Sequence, residues 1–351
     1  MELIIKPTEA CNFKCTFCSS TDITEDKAAR LDLDYVWQFL ERYPNTNTII
    51  VNGGDPLMVP VDYYWKIIDW LDRNQYSTSI SFTTNLWAFY KNPDKWSELL
   101  RHPRMGITTS FNYGETRRVT DEQNFTEDLF WSVSDLFLER IGYRPDFISV
   151  INYDNEDTAI DNVKLAKRMN VECKLNYAMA SGVQSRPYQL SKIYKTYVDI
   201  YEQGLWPWEF NTKQMMNRLN GVSTCCPQNR KCDQGIRAFN PSGDYYSCGS
   251  MGDDRIYPIS FQKEMQGEFI TPLQNAPELL CHKEECLTCP MFEICNGCKK
   301  TILDQKNHGM VEQHCSLMKQ IAPRIIEINK ASIGKNVIAM RQGKRTHEHA
   351  Y

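Results

Sequence analysis

The cysteines of this chain are its first chemical signal. Fourteen occur in 351 residues: three at positions 11–18, one at 173 and ten between 225 and 315. No export signal precedes them, and in a long chain without one, clustered cysteines more often hold metal than form disulfides. The first group, Cys11-Asn-Phe-Lys-Cys15-Thr-Phe-Cys18, has CxxxCxxC spacing with Phe17 directly before the last cysteine. Thiolates are the usual iron–sulfur ligands. Three of them on a four-iron cube leave one iron open to an outside chelate. For the motif alone, a zinc site or a buried trio is the bland alternative. A second segment, Val51-Asn-Gly-Gly-Asp-Pro56, puts Gly53, Gly54 and Asp55 after an apolar run. Standing alone, its glycines would mark no more than a turn.

Another group follows much later. Cys226-x5-Cys232-x10-Gly243-x4-Cys248 is succeeded by Cys286-x2-Cys289-x5-Cys295-x2-Cys298 and then Cys315. This stretch is rich in Cys, Gly and Pro and poor in periodic segments. It cannot build much of a core, so it needs metal to hold it. CxxC pairs in loop-rich segments also bind zinc, which stays open as an alternative.

The elements that must position these groups are legible upstream. Short runs rich in Ile, Val, Thr and Phe predict strands at Leu3–Pro7, Thr48–Asn52, Thr78–Thr84, Gly106–Asn112, Asp146–Tyr153 and Glu172–Ala178. Between them, helix-length segments fall at Leu33–Arg42, Val61–Arg73, Pro93–Leu100, Phe125–Arg140 and Thr158–Met169. Six βα units in series imply a parallel sheet with right-handed crossovers, and six rather than eight imply a partial (βα)6 TIM-like barrel. Such barrels place their sites at the carboxyl ends of the strands. There lie the cysteine loop, Gly53–Asp55, Thr84 and Asn85, Ser110 and Asn112, Asn152 and Asn176. A bridging region at 185–220 reads as helical at Leu190–Gln203, and its aromatics Tyr194, Tyr197, Tyr201, Trp206 and Trp208 are expected to cover the barrel. A last helix is expected at about Leu317–Lys330, after Cys315, with a basic tail beyond it. The division expected is a barrel with bridging helices at 1–215, a small cysteine-rich domain at 216–320, and a helix with its tail at 321–351.

Taken with its aromatic and its place after the first strand, the Cys11–Cys18 motif resembles the radical S-adenosylmethionine (SAM) signature. The Gly53-Gly54-Asp55-Pro56 segment resembles the GGEP segment of that superfamily, with Asp55 in place of the commoner Glu. The resemblance implies that Cys11, Cys15 and Cys18 hold a [4Fe–4S] cluster whose open iron chelates SAM. Electron transfer to the sulfonium would then release a 5′-deoxyadenosyl radical. It further implies that Phe17 meets the adenine region and that the carbonyls and acid of Gly53–Asp55 hold the SAM amine. Thr84, Asn85, Ser110 and Asn112 are candidates for the ribose or carboxylate, and Arg117 or Arg118 for the carboxylate. For each of these, a plain strand-end hydrogen bond is the competing reading.

The later cysteines resemble a SPASM domain, which carries two auxiliary [4Fe–4S] clusters in sulfatase and peptide maturases. Carried over, Cys226, Cys232, Cys248 and Cys298 hold one cluster, and Cys286, Cys289, Cys295 and Cys315 the other. The Cys295–Cys298 spacing is one residue shorter than the usual pattern. Cys173 is expected to be a buried strand residue, Cys225 competes with Cys226, and Cys281 is left without a role.

A peptide or protein substrate follows from this resemblance, as does a flavodoxin or ferredoxin reductant. Possible outcomes are oxidation, a crosslink or epimerisation. Cys248 is followed by Gly249 and Ser250, not by the Asp that serves as base in sulfatase maturases, which argues against formylglycine formation. Asp244, Asp253, Asp254, Tyr245 and Tyr246 lie nearby. The first strand starts near residue 2, so no N-terminal peptide-binding domain is expected. A small-molecule or nucleotide substrate is the second reading, and a non-catalytic iron–sulfur or zinc protein the third. The net charge of −4 argues against a dedicated nucleic-acid binder. With no long apolar stretch and no signal peptide, a cytoplasmic protein with no membrane span is expected.

Overall fold

The computed structural model describes residues 1–20, 30–220, 232–268, 270, 286, 288–289, 291–295 and 298–335. Of Cys232, Asp233, Phe292 and Glu293 only the backbone is described, while Cys225, Cys226 and Cys281 lie outside the described residues.

Strands and helices alternate from the start of the chain. They run β1 (Glu2–Ile5), α1 (Leu33–Arg42), β2 (Thr48–Val51), α2 (Val61–Arg73), β3 (Ser79–Thr83), α3 (Trp87–Lys91) and α4 (Pro93–Arg101). The series continues with β4 (Met105–Ser110), α5 (Glu127–Ile141), β5 (Asp146–Ile151), α6 (Ala159–Met169) and β6 (Cys173–Tyr177). The helices start where side chains can satisfy their free N–H groups. Asp32 accepts from Asp34 N at α1, Asn92 from Lys95 N at α4, and Thr126 from Leu129 N at α5. Helix α5 ends on Gly142 in the left-handed region, a conformation that suits a residue without Cβ. Helix α2 turns Tyr63, Tyr64, Ile67, Ile68 and Leu71 into the core.

All six of these strands are parallel neighbours in sequence order. The result is the expected partial α/β barrel. Alternate residues such as Ile4, Ile50, Ser81, Thr108, Ile148 and Lys174 face a lumen of about 150 Å³. Helix α7 (Leu190–Glu202) covers β6 as its aromatics led us to expect: Tyr197 donates from its hydroxyl to Leu175 O at 2.8 Å. Helix α8 (Phe210–Asn217) was not anticipated. It is buried throughout although five of its eight residues are polar, so no apolar stripe marks it in the sequence. Its cap Glu209 accepts from Asn211 N and Thr212 N and reaches Leu175 N in β6, and burial pushes its carboxyl up to about 7.

The cysteine-rich segment contributes more regular structure than its composition announced. After α9 (Cys232–Gly235) come β7 (Ile236–Phe239), β8 (Tyr245–Tyr246), α10 (Gly249–Asp254), α11 (Phe261–Met265), α12 (Phe292–Cys295), α13 (Lys299–Asn307) and α14 (Val311–Ser332). Strand β7 lies parallel to β1, from Glu2 opposite Ile236 to Ile5 opposite Phe239, and β8 returns antiparallel to it. The sheet thus has eight strands in the order β6-β5-β4-β3-β2-β1-β7-β8. Helix α14 begins six residues before the expected start at Leu317, so Cys315 stands inside the helix rather than ahead of it. The helix runs on through Pro323, and Asn329 locks it to α8 by donating to Met215 O at 3.0 Å.

A fully buried ion pair fastens the sheet extension to the barrel. Arg237 of β7 donates from Nε to both carboxylate oxygens of Glu264 on α11 at 2.9 Å, and Glu264 also accepts from the Tyr43 hydroxyl at the end of α1. Glu264→Ala removes the carboxylate that faces this buried guanidinium. It is expected to lower the unfolding free energy by about 3–5 kcal/mol in urea denaturation. A loss under about 1 kcal/mol would show that the pair does not fasten the two parts.

Candidate active site

The cysteine loop runs between β1 and α1, across the carboxyl ends of the strands. It is seated by backbone contacts on three sides. From the β2 side, Gly54 N donates to Thr8 O at 3.0 Å and Asp55 N to Ala10 O at 2.8 Å. This segment lies so close that a Cβ on Gly54 would stand 2.1 Å from Ala10 O, and one on Gly53 2.7 Å from Thr8 O. Only glycine allows that approach. From the β4 side, Thr16 N donates to Thr116 O and Lys14 N to Arg118 O, each at 2.9 Å. Beyond β6, Val183 N donates to Cys18 O at 2.9 Å and the Ser181 hydroxyl to Ser19 O at 2.8 Å. Phe13 anchors the loop from within, packed edge-on against Trp87 and Phe125.

Cys11, Cys15 and Cys18 are free thiols, each partly buried, and they share one electrostatic environment. Burial, then the nearby Asp55 carboxylate, pushes the Cys11 thiol far up, and Cys15 and Cys18 add to the effect. Burial also raises Cys18, to about 11, with Cys15 and Asp253 contributing and Arg117 opposing. Thiols held this way ionise readily only when a cation takes up the charge, which suits metal ligation. Among the described residues no three His, Cys, Asp or Glu side chains surround one point as a single ion requires. A four-iron cube instead takes each thiolate on a different iron, so its ligands stand farther apart.

Asp55 is braced within the protein. Buried at 2% exposure, its carboxylate accepts from Leu57 N at 2.9 Å and Asn85 N at 2.8 Å, and shares the Thr84 hydroxyl between both oxygens at 3.0 Å. Burial pushes its carboxyl up to about 6 against the pull of those donors. The side chains of Thr84 and Asn85 are therefore engaged: Asn85 donates to Asn12 Oδ1 of the cysteine loop at 2.7 Å. Asn12 is a site residue that sequence reasoning missed, and no spacing or composition marks it.

Ser110 closes β4, and Asn112 just beyond it donates to the Thr116 hydroxyl at 2.6 Å. The carboxamide oxygens of Asn52, Asn112 and Asn176, all at strand ends, are buried and have no hydrogen-bond partner among the described residues. Phe17 is buried beneath Arg117, whose guanidinium carbon stands 5.1 Å from the ring centroid.

Open acceptors beside a free thiol trio, at the strand ends of a partial barrel, suit an iron–sulfur centre with a polar ligand. The sequence comparison agrees: the model of the Radical SAM superfamily matches residues 5–184, more than half of the chain. The chain belongs to the radical SAM superfamily. Members of that superfamily bind SAM and an iron–sulfur cluster, and this one is a radical SAM enzyme with the barrel described above. No curated protein sequence matches it significantly. Its fold is similar to native anSMEcpe with bound AdoMet, at 14% identity and a TM-score of 0.68 over 94% of this chain and 99% of that one. The same enzyme with AdoMet and Cp18Cys peptide gives 15% identity and a TM-score of 0.67 at equal coverage. Streptococcus suis SuiB bound to precursor peptide SuiA gives 16% identity and a TM-score of 0.58 over 85% of this chain and 71% of that one.

The later cysteines whose side chains are described fall into two groups. Cys298 adds to the burial that raises Cys248 to about 11. Burial raises Cys295 to about 12, with Cys289, Cys286 and Cys315 adding to it. Cys173 is fully buried in β6 with its sulfur 3.6 Å from the Ser149 hydroxyl. Among the described residues no helix is long and apolar enough to cross a membrane.

The radical SAM loop depends on backbone-to-backbone seating at Gly54. Gly54→Ala is expected to remain folded yet to abolish SAM binding and leave the Cys11 loop without iron, as read by SAM titration and iron analysis after anaerobic reconstitution. Wild-type SAM affinity in that variant would show that the close approach is dispensable.

Proposed function

We propose that this enzyme reductively cleaves SAM and abstracts a hydrogen atom from a peptide or protein substrate, leading to oxidation, a crosslink or epimerisation. The observation that carries this reading is the seating of the Cys11–Cys15–Cys18 loop directly on Gly53–Asp55 at the strand ends. When bound there, the reduced cluster would supply one electron to the SAM sulfonium, and cleavage of the S–C5′ bond, with methionine leaving, would supply the 5′-deoxyadenosyl radical that takes the hydrogen atom. Cys11, Cys15 and Cys18 are the proposed ligands, and the exposed edge of Gly53–Gly54 is the proposed seat of the SAM amine. Asp55 acts by keeping that edge and the Thr84–Asn85 turn in register. Phe17 is assigned to the adenine, and Ser110, Asn112 and one face of Arg117 to the polar groups of SAM.

A peptide substrate is favoured because anSMEcpe and SuiB, similar in fold, are both seen with bound peptides. Residues 216–320 are assigned as a SPASM domain after the barrel at 1–215, with the last helix and tail at 321–351. Cys226, Cys232, Cys248 and Cys298 are its first proposed ligand set, and Cys286, Cys289, Cys295 and Cys315 its second. The grouping of Cys248 with Cys298, and of Cys295 with Cys286, Cys289 and Cys315, supports this division. Formylglycine formation is disfavoured, because Gly249 and Ser250 follow Cys248. The neighbouring Asp253 is ion-paired with the buried Lys6. A cytoplasmic flavodoxin or ferredoxin is the proposed reductant.

Anaerobic reconstitution, then SAM and dithionite, is expected to yield 5′-deoxyadenosine with about twelve irons per chain. The triple Cys11/Cys15/Cys18→Ala variant is expected to hold about eight irons and to yield none. Deoxyadenosine from the triple variant, or none from wild type, would overturn the reading. Cys295→Ala is expected to lose about four irons while still binding SAM at the Cys11 loop. A loss confined to the Cys11 site would contradict the second ligand set.

A further inference from the structure

Among the described residues, Arg117 is a buried charge whose partner is not explained by the fold. It is 7% exposed and sits on the ribbon that pairs with the cysteine loop, held by Thr16 N to Thr116 O and Lys14 N to Arg118 O. Phe125 N donates to Arg117 O at 2.9 Å, which fixes its backbone from the other side. The side chain is fixed as well: its guanidinium lies over the Phe17 ring, with Nη1 3.9 Å from Cys15 Sγ. Among the described residues it meets no carboxylate, and its buried Nε–H has no acceptor. A buried guanidinium without an anion is costly, so the fold must expect one at this place.

The contact with Cys15 says where that anion lies. An iron–sulfur core on three thiolates carries net negative charge, and reduction adds one more. Nearby charge and hydrogen bonds to the sulfurs are among the levers that set cluster potentials. A fixed cation against one ligand sulfur, shielded from water by Phe17, stabilises the reduced form more than the oxidised form.

We propose that Arg117 is an electrostatic positioning residue for the radical SAM cluster: it raises the reduction potential of the cluster through Cys15. This rests on the cluster assignment above and goes beyond a carboxylate contact with SAM. The electron added in the titration comes from dithionite, and no bond forms or breaks at Arg117. The role needs the positive charge and not the shape alone, because its partner is a delocalised anion. SAM binding through the same guanidinium would engage a different N–H, such as Nε.

The test is an EPR-monitored potential titration of reconstituted wild type, Arg117→Lys and Arg117→Gln, without SAM, in a background whose Cys286, Cys289, Cys295 and Cys315 remain intact. The triple Cys11/Cys15/Cys18→Ala variant identifies which signal belongs to this cluster. Arg117→Gln is expected to shift the midpoint to more negative potential, and Arg117→Lys to stay near wild type. An unchanged midpoint in Arg117→Gln overturns the proposal, even if its SAM affinity falls. Loss of iron from this site in Arg117→Gln with retention in Arg117→Lys supports it, since charge is what the two variants do not share. Loss from both overturns it, because shape would then explain the contact. If wild type itself shows no signal absent from the triple variant, the cluster assignment fails rather than the role of Arg117.

Discussion

The packing of one backbone segment on another, with no side chain between, is the constraint on which the rest of the site depends. Residues 53–55 lie against residues 8–10 at a separation that admits glycine alone at position 54. Two N–H groups of that segment satisfy carbonyls of the cysteine loop, so the loop cannot move without exposing buried polar groups. Residues 11–20 form neither strand nor helix and have no repeating bonds of their own. Their shape is borrowed from the strand ends beneath them. This explains why the same few residues serve both as fold and as site.

Side chains then tie the seating contacts to one another. Asp55 holds the turn after β2 to the turn after β3, and Asn85 passes the connection to Asn12 in the loop. Arg117 and its ribbon close the β4 side, while residues 181–183 close the β6 side. What the arrangement leaves open is equally ordered: the carboxamide oxygens of Asn52, Asn112 and Asn176 are buried around the strand ends, without a partner among the described residues. Polar groups kept dry without partners cost free energy. Their natural place is against a ligand that is itself polar and specific in shape.

The barrel was legible because its strands are short and bounded by turn residues, and its helices are amphipathic with clear caps. Helices α1 and α2 occupy the residues expected from their patterns. The polar residues gather at the strand ends, as six βα units require. The features that escaped are those whose signal is lost by burial or long range. Helix α8 buries mostly polar side chains, so no apolar stripe marks it. Strand β7 is four residues long, and its partner β1 is more than two hundred residues away, a distance no local pattern spans. The early start of α14 hides because Cys315 invites reading as a ligand in a loop rather than as a helical residue. Asp55 shows a different limit. Its residue type suggested a ligand contact, whereas the structure spends both of its oxygens on neighbouring turns.

The pairing of β1 with β7 also sets a timetable. Strand β1 and the cysteines after it leave the ribosome more than two hundred residues before β7, so Lys6 N must wait for Phe239 O, and the Lys6 side chain for Asp253. Synthesis proceeds at about 5–20 residues per second, so the thiols of the first loop wait tens of seconds for the strand that completes their support. During that interval they are accessible to oxidants and to stray metals. The sequence order of this molecule therefore separates its first cysteine loop in time from the strand that completes its support, and insertion of iron belongs after β7 has been made.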